Sequence, residues 1–547
     1  MPCMPFVRIG AIGGGLRWTR ADWWFSAALF GLSVIIALGL EVNSFPADGW
    51  FQSQYRVLAQ SPGAGNYTPI AAPAYYYSIV HGVSVVLGMD LASELRLAAI
   101  GQTLMLCLSC LAVYDCLLLL GRRRLGMAVS FVLLLGLAST SMTHAFWSES
   151  VVTFLVAISL WLIVRSLVKS GMSLGRFALL ATALGLLLGL LTITRVVPLV
   201  LLPAAIALFA LFAPARRTVA LAAIGSTMVS AIVLGNMAAN EYRYGRFELS
   251  NSGGRHLWNA VSDKVDVMLE GSVEFERLRR ADPEVVGKEW WEVRLEHIPV
   301  NSAISREAYL GALSAEAIYT RPDVFAGLGV ARARVLMASF PRDFGRWRST
   351  NPVNNLLDRD SPLPALVPAL AWLTPVMVAI HHVAERAHPF IMWLLGTVLF
   401  YLVLSGTGAQ ARSASRSGGR PGGLLWRSLL VAMGIAWGGI LHLPWIAVFA
   451  LSVLLAWWLG RRDIHSTNQP NIKLLRWEGE LLALMASWSF LIFVACLWAS
   501  AQLETPSTRV IAPFLVLLAI PSAAAMEALG FRGEWQRSEG SSPTGRP

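Results

Sequence analysis

The sequence predicts an all-α polytopic membrane protein with about twelve transmembrane helices, give or take one. Hydrophobic residues make up 55% of the 547 residues and charged residues only 14%, well below the roughly 25% of a typical soluble domain. The mean hydropathy is +0.57. Apolar runs of about 20 residues, the length that crosses a bilayer as a helix, recur along the chain. We also expect an outer juxtamembrane helix and a mostly helical extracytoplasmic segment.

The first 22 residues predict a cytoplasmic N-terminus. They contain Arg8, Arg17 and Arg20 and lead into a long apolar run without the small-residue cleavage site of a signal peptide, so we interpret that run as a signal-anchor. Candidate spans lie at about 23–42, 97–120, 126–143, 150–168, 176–194, 196–213, 219–238, 363–383, 389–406, 424–441, 444–459, 481–502 and 508–528.

A further apolar stretch, 73–89, does not fit as a span. The positive-inside rule supplies a test, because cytoplasmic loops carry an excess of basic residues. If 73–89 crossed the membrane, three basic clusters would lie outside: Arg122 to Arg124, Arg165 with Lys169, and Arg216 with Arg217. If it lies along the outer interface, all three lie inside. We therefore predict that 73–89 is a juxtamembrane helix.

The polar segment 241–360 does not contain the basic excess of the chain. It carries 18 acidic and 17 basic residues, whereas the whole chain has a net charge of +11. The basic excess therefore belongs to the short loops and the N-terminus, where it is a topology signal. Because the one sizeable polar segment is nearly neutral, we predict no nucleic-acid partner.

These observations divide the chain into five parts in the plasma (inner) membrane. They are a cytoplasmic N-terminus (1–22), a membrane core (23–240) with its first outer loop at 43–96, an extracytoplasmic segment (241–360), a C-terminal transmembrane region (361–528) and a disordered cytoplasmic tail (529–547). Basic loops at 407–423 and 460–480 both favour the inside. The candidates at 363–383 and 389–406 then cannot both be full spans.

Five charged residues fall at predicted outer ends of helices: Asp48, Arg96, Glu149, Arg195 and Arg509. Charges at such depths are costly and indicate function. Guanidinium groups bind phosphate oxygens in bidentate geometry, and a nearby carboxylate can take a proton from a hydroxyl. The combination favours a lipid-linked phosphosugar as substrate.

Each of these residues also has a simpler interpretation. The ADGW stretch around Asp48 is a good turn sequence. Glu149 suits the N-terminus of a helix, where its charge favours the helix dipole, or it orients an arginine or an acceptor. The arginines suit headgroup contacts. Both interpretations stay open at this point.

Several stretches resemble the integral-membrane GT-C glycosyltransferases, which include the protein O-mannosyltransferases and the transferases that add aminoarabinose to lipid A. Asp48 followed by GWFQSQYRVLAQSPG is similar to the superfamily's first outer loop, whose amphipathic helix here contains Tyr55. PAYYYSIVHGVSVVLG is similar to its juxtamembrane helix, which starts here at Pro73 and contains Tyr75 and His81.

Later stretches follow in the family's order. Arg96 falls where relatives carry an arginine after the juxtamembrane helix. GLLLGLLTITRVVPLVLLP resembles a Gly-rich span that ends in a basic residue and a proline, so Arg195 matches a position that contacts lipid phosphate in relatives. EYRYGRFELSNSGGRHLWNA and REAYLGALSAEAIYTRPDVF are similar to two stretches of the bacterial subgroup. ETPSTRVIAPFLVLLAI, which contains Arg509, resembles its late motif.

The resemblance implies a glycosyltransferase that moves a sugar from a polyprenyl-phosphate donor to a lipid, glycan or protein acceptor on the extracytoplasmic face, with inversion. Asp48 is the expected general base, and we predict Glu149 as a second catalytic carboxylate. The other predicted site residues are Arg96, Arg195 and Arg509 for the donor phosphate, and Tyr55, Pro73, Tyr75 and His81 in the substrate cavity. Gly49 follows Asp48 where many relatives have a second acid, so no paired carboxylate supports a divalent metal, although the metal requirement stays open. No other cofactor is predicted.

A transporter or flippase for lipid-linked sugars is the alternative from another class. It would require charged residues along a central path and internal repeats. Asp115, within a predicted span, is a candidate for such a path, but it has Arg122 seven residues further on and no duplicated half is visible. A non-catalytic envelope scaffold with the same fold is the third possibility.

Overall fold

The computed structural model describes residues 18–40, 71–136, 140, 142–144, 149–168, 172–195, 201–245, 247–249, 253–290, 292–295, 298, 303–338, 367–414, 431–436, 441, 443, 448, 450–455, 485–496 and 515–528. About 87% of these residues are helical and none lies in a strand. The helices are α1 (Arg20–Gly39), α2 (Ala71–Val86), α3 (Leu91–Leu119), α4 (Arg123–Leu135), α5 (Glu149–Val168), α6 (Leu174–Thr194), α7 (Leu201–Phe212), α8 (Ala215–Ala220), α9 (Ser226–Tyr244), α10 (Gly253–Val261), α11 (Val265–Met268), α12 (Val273–Ala281), α13 (Ala303–Thr320), α14 (Pro322–Ala338), α15 (Val367–Ala414) and α16 (Ala519–Ala528).

Five helical stretches in the described part of the chain are long and apolar enough to cross a membrane. They are α1, α3, α5, α6 and the stretch Ala215–Tyr242, in which α8 and α9 are joined by a π-helical turn at Leu221–Gly225. All five coincide with predicted spans. An all-α membrane protein is therefore the fold class that the structure supports, while the number of about twelve spans stays a prediction.

Two regions differ from the helices that the sequence predicts. In the expected span 126–143, α4 is only 13 residues long and ends at Gly136, whose extended backbone stops the helix. The candidates 363–383 and 389–406 are not separate helices but parts of α15, one helix of 48 residues with Pro375 and Pro389 inside it. A proline removes one backbone hydrogen bond but does not have to end a membrane helix. At 1.5 Å per residue, α15 is roughly 72 Å long, more than twice the length of one span.

The membrane core is built around α3, which packs against α1, α4 and α5. Asp115 near the end of α3 contacts Trp161 and Arg165 near the end of α5, so these two helices run in parallel. Helix α1 runs the opposite way, because its first turn meets Tyr114 and Arg123. The core therefore has two ends, which we call the Asp22 end and the Arg195 end.

The Asp22 end is tied together by two carboxylates. Asp22 is fully buried and accepts hydrogen bonds from Thr19 and from the hydroxyl of Tyr114, and it lies 3.1 Å from Nε of Arg123. Asp115 accepts hydrogen bonds from the indole nitrogens of Trp18 (3.0 Å) and Trp161 (2.7 Å). These contacts join α1, α3, α4 and α5. They explain Asp115 as a structural residue near a helix end.

Glycines allow α6 to pack closely against α9. A Cβ added at Gly185 would lie 2.9 Å from the carbonyl oxygen of Gly225 and 2.8 Å from Cβ of Met228, and one added at Gly189 would lie 2.8 Å from Cδ1 of Ile232. Such close approach of small residues is how membrane helices associate, because lipid gives them no hydrophobic drive to do so. The Gly-rich span of α6 is therefore an interface, and it ends at Arg195.

In the part of the polar segment 241–360 that the structure describes, helices α10 to α14 form a core of their own. Trp258, fully buried, donates a hydrogen bond to the carbonyl of Lys288. Helices α10 and α13 cross at Gly254 and Gly311, so closely that a Cβ on Gly254 would lie 1.9 Å from the carbonyl oxygen of Glu307. The stretches GGRHLWNA and REAYLGAL thus contact each other directly, and their glycines have a packing role.

Candidate functional site at the Arg195 end

A buried ion pair between Glu149 and Arg195 is the centre of the candidate site. Nη2 of Arg195 donates a hydrogen bond of 2.6 Å to Oε1 of Glu149, and the side chains are 10% and 1% exposed. Charge-assisted hydrogen bonds of this length are among the strong ones in proteins. Breaking such a pair by removing one partner leaves a charge buried without compensation. Two of the residues that the sequence predicted separately are therefore brought together.

Both Glu149 and Arg195 lie at the ends of helices. Glu149 begins α5 and Arg195 is the C-cap of α6, where its N–H still donates to the carbonyl of Leu191 (2.8 Å). An acid at a helix N-terminus and a base at a helix C-terminus each interact favourably with the helix dipole. Since α5 and α6 are neighbours that run in opposite directions, the two favourable positions coincide in space.

Arg96, predicted to bind donor phosphate, points toward α1 instead. Its Nη1 donates to the carbonyl oxygens of Leu40 (2.7 Å) and Ala37 (3.4 Å) at the C-terminus of that helix. Arg96 lies in the second turn of α3, which runs parallel to α5. It is therefore at the same end of the core as Glu149 and Arg195.

His81 forms a second buried acid–base pair that sequence reasoning missed in part. Its Nδ1 lies 3.1 Å and 3.2 Å from the two carboxylate oxygens of Glu94, and the hydroxyl of Ser84 donates to the same carboxylate over 3.2 Å. His81 was a predicted cavity residue, whereas Glu94 was not predicted. One signal in the sequence was available. His81 lies seven residues before Gly88 and Glu94 lies six residues after it, so a tight turn near Gly88 between the two helices brings both side chains to similar heights.

The predicted juxtamembrane segment 73–89 is mostly helical, as α2 (Ala71–Val86), while its position at the membrane surface stays a prediction. Helix α2 ends at Leu87 and Gly88, where Gly88 has φ +63° and the N–H of Met89 donates to the carbonyl of Ser84 (2.9 Å). This is a Schellman-type helix end, which favours glycine. The Leu87-Gly88 sequence that follows α2 is thus a helix terminator.

Helix α2 exposes an apolar face and buries a mixed one. Ile79, Val83 and Val86 are 68%, 42% and 84% exposed, whereas the buried residues are Tyr77, Val80, His81 and Ser84. Exposed branched apolar residues suit a lipid environment. The interfacial position of α2 stays a prediction.

The remaining predicted site residues cannot be placed in this geometry. Asp48, Tyr55 and Arg509 lie outside the described residues. Pro73 and Tyr75 lie in the first turns of α2, outside the part of that helix whose side chains are described. Among the residues that are described, no three His, Cys, Asp or Glu side chains are grouped as metal ligands would be.

No protein-family model, curated protein or solved structure matches this chain. The resemblance to GT-C glycosyltransferases therefore stays a prediction from the sequence motifs.

Proposed function

We propose that this protein is a polyprenyl-phosphate-sugar-dependent glycosyltransferase that works at the Arg195 end of its membrane core. The buried Glu149–Arg195 pair carries the proposal, because it holds a guanidinium at the end of a candidate span that resembles a phosphate-contacting span of the GT-C enzymes. The sequence predicts that this end faces the extracytoplasmic side.

In this proposal Arg195 recognises the donor phosphate. A guanidinium has five N–H donors in a fixed plane, and the hydrogen bond to Glu149 orients that plane. Glu149 then acts through Arg195, as a positioning residue that fixes the guanidinium and offsets its charge when no donor is bound. Arg96 and Arg509 were predicted for the same phosphate, but Arg96 contacts α1 in this structure.

The proposed reaction is a single displacement with inversion. Asp48 takes the proton of the acceptor hydroxyl while the acceptor oxygen forms a bond to the anomeric carbon. The bond between that carbon and the phosphate oxygen breaks, and its electron pair leaves with the polyprenyl phosphate. Arg195 stabilises the charge that develops on this leaving group. The acceptor is a lipid, a glycan or a protein, and no metal is assigned a step.

The alternative function, transport or flipping of lipid-linked sugars, receives no specific support from Asp115. That carboxylate is held by two indole nitrogens and lies 3.8 Å from Arg165. Its position near the end of α3 places it at the Asp22 end rather than midway along a path across the membrane.

Mass spectrometry of envelope glycans and lipid-linked intermediates, with and without the gene, distinguishes the two functions. Loss of one sugar from the envelope, with accumulation of its polyprenyl-phosphate donor on the extracytoplasmic side, supports transfer. Accumulation of the donor on the cytoplasmic side supports transport and overturns the proposal. Unchanged glycans and intermediates also overturn it. Reintroduction of the wild-type gene is the control.

A further inference from the structure

The C-terminus of α1 is stabilised by another helix rather than by its own residues. The last turn of α1 contains no basic residue, and its C-cap, Leu40, has an extended backbone. The last carbonyl groups of any helix have no partner within it. In α1 the N–H of Leu40 still bonds to Ile36, but the carbonyls of Ala37 and Leu40 need donors from elsewhere.

Arg96 of α3 supplies these donors. Its Nη1 reaches the carbonyl of Leu40 over 2.7 Å and that of Ala37 over 3.4 Å, across 56 and 59 residues of sequence. A cation at the C-terminus of a helix also interacts favourably with the helix dipole, and more so when it is partly buried. The contact combines both effects and joins the end of α1 to α3.

His144 completes the cluster from a third part of the chain. It is fully buried and lies beside the backbone of Ile36 and Ala37 and near the charge of Arg96. Its Nδ1 is 2.8 Å from the hydroxyl of Thr143 and 3.1 Å from the carbonyl of Thr140. The imidazole is thus anchored by the segment that precedes α5, the helix that begins with Glu149.

We propose that Arg96 and His144 are positioning residues that fix the end of α1, and with it the point from which the chain continues to Asp48. Asp48 follows Leu40 by eight residues in the sequence. The same cluster connects α1 to α3 and to the segment before Glu149. It therefore sets the start of the Asp48 loop relative to the Glu149–Arg195 pair. The catalytic consequence rests on the proposed function, whereas the structural claim does not.

Steady-state kinetics of Arg96→Ala distinguish a positioning role of Arg96 from a role as phosphate ligand. A displaced general base lowers kcat, and misplacement by about 1 Å can cost about 100-fold. Loss of a phosphate ligand chiefly raises the KM for the donor. We expect Arg96→Ala to lower kcat about 10- to 100-fold with little change in donor KM. Arg96→Lys should restore part of the rate, because an ammonium can also donate to carbonyls, whereas it is a poor replacement at a bidentate phosphate site.

Hydrogen exchange of the full-length protein in detergent provides a readout that does not depend on activity. Peptides that cover residues 36–50 should exchange faster in Arg96→Ala and in His144→Ala than in the wild type, and Arg96→Lys should reverse part of this change. Peptides from α12, in the polar segment, serve as an internal control for intact folding. If Arg96→Ala does not fold, Arg96→Lys and His144→Ala still carry the test.

Two results would overturn the inference: unchanged exchange at residues 36–50, or a rise in donor KM with kcat preserved in Arg96→Ala. Failure of the proposed function gives a different pattern. In that case the wild type transfers no sugar, or Asp48→Asn transfers it at the wild-type rate, while exchange at residues 36–50 still responds to Arg96→Ala.

Discussion

Oε1 of Glu149 accepts a hydrogen bond from Nη2 of Arg195 over 2.6 Å, across the interface between α5 and α6. The two residues are 46 positions apart in the chain and both are nearly buried. Each occupies the helix end that favours its charge. The pair therefore connects α5 to α6 and fixes the guanidinium that we propose binds the donor phosphate.

Substitutions at this pair should be strongly coupled. Glu149→Ala and Arg195→Ala should each destabilise the folded protein by about 3–5 kcal/mol, because each removes a short ion pair from a buried charge. The double variant should lose much less than the sum of the two. A double-mutant cycle of unfolding free energies in detergent checks this, and additive losses would show that the pair is not coupled.

Close packing of α6 and α9 should not tolerate a methyl group at Gly185. Its Cβ would lie 2.9 Å from a carbonyl oxygen and 2.8 Å from Cβ of Met228, so Gly185→Ala should cost about 1–3 kcal/mol. Gly175→Ala is the matched control in the same helix, since no other atom lies within 4 Å of a Cβ added at Gly175. Thermal unfolding should show a lower Tm for Gly185→Ala alone. Equal Tm values for the two variants would contradict this packing.

Gly101 of α3 and Tyr76 of α2 contact each other, so a substitution at one should be partly compensated by a substitution at the other. A Cβ at Gly101 would lie 2.4 Å from the hydroxyl oxygen of Tyr76 but 3.3 Å from its ring carbon Cζ. Gly101→Ala should therefore be destabilising, and adding Tyr76→Phe should relieve most of the clash, although it removes the hydrogen bond to the carbonyl of Ala98. Unfolding free energies of the three variants test this. A double variant no more stable than Gly101→Ala would refute it.

In the polar segment, Asp282 should make local stability depend on pH. Burial raises the pKa of this carboxyl, but hydrogen bonds from the N–H of Arg294 and the ammonium of Lys288 outweigh burial and hold the pKa below its ordinary value. The stabilisation is therefore present above the unfolded pKa of about 3.9. It is lost as the pH falls through the lower folded pKa.

Hydrogen exchange of peptides covering residues 282–295, corrected for the intrinsic pH dependence of exchange, measures this effect. Protection in the wild type should fall between about pH 4 and the acid limit of the folded protein. Asp282→Asn should show weaker protection at neutral pH and little further pH dependence. Wild-type protection that is constant across this range would contradict the role of Asp282.

Local sequence patterns predicted much of this architecture. The helix that ends at Gly88 and the Gly-rich span that ends at Arg195 could be identified because their signals lie within a few residues of the feature. Hydropathy also predicted that Glu149 and Arg195 lie at the ends of spans, and the structure has helix ends at both residues. It does not indicate how each helix is rotated or which helix lies beside it, so it could not predict that these two residues are paired.

Other features had no local signal. The partners of Arg96 are backbone carbonyls of α1, and every residue type carries a carbonyl. Asp115 was interpreted as a candidate for an ion path because its indole partners, Trp18 and Trp161, lie far away in sequence. The sequence predicted two candidate spans at 363–383 and 389–406, separated by polar residues, yet α15 continues through both.

The most direct test of the central claim is sugar transfer by the purified Asp48→Asn protein, with the polyprenyl-phosphate donor that the gene-deletion experiment identifies. Binding of this donor, measured separately, shows whether the variant is folded, and Gly175→Ala serves as an active control. We predict that Asp48→Asn binds the donor with unchanged affinity and transfers sugar at least about 100-fold more slowly than the wild type. Transfer at the wild-type rate by the Asp48→Asn protein would contradict the account.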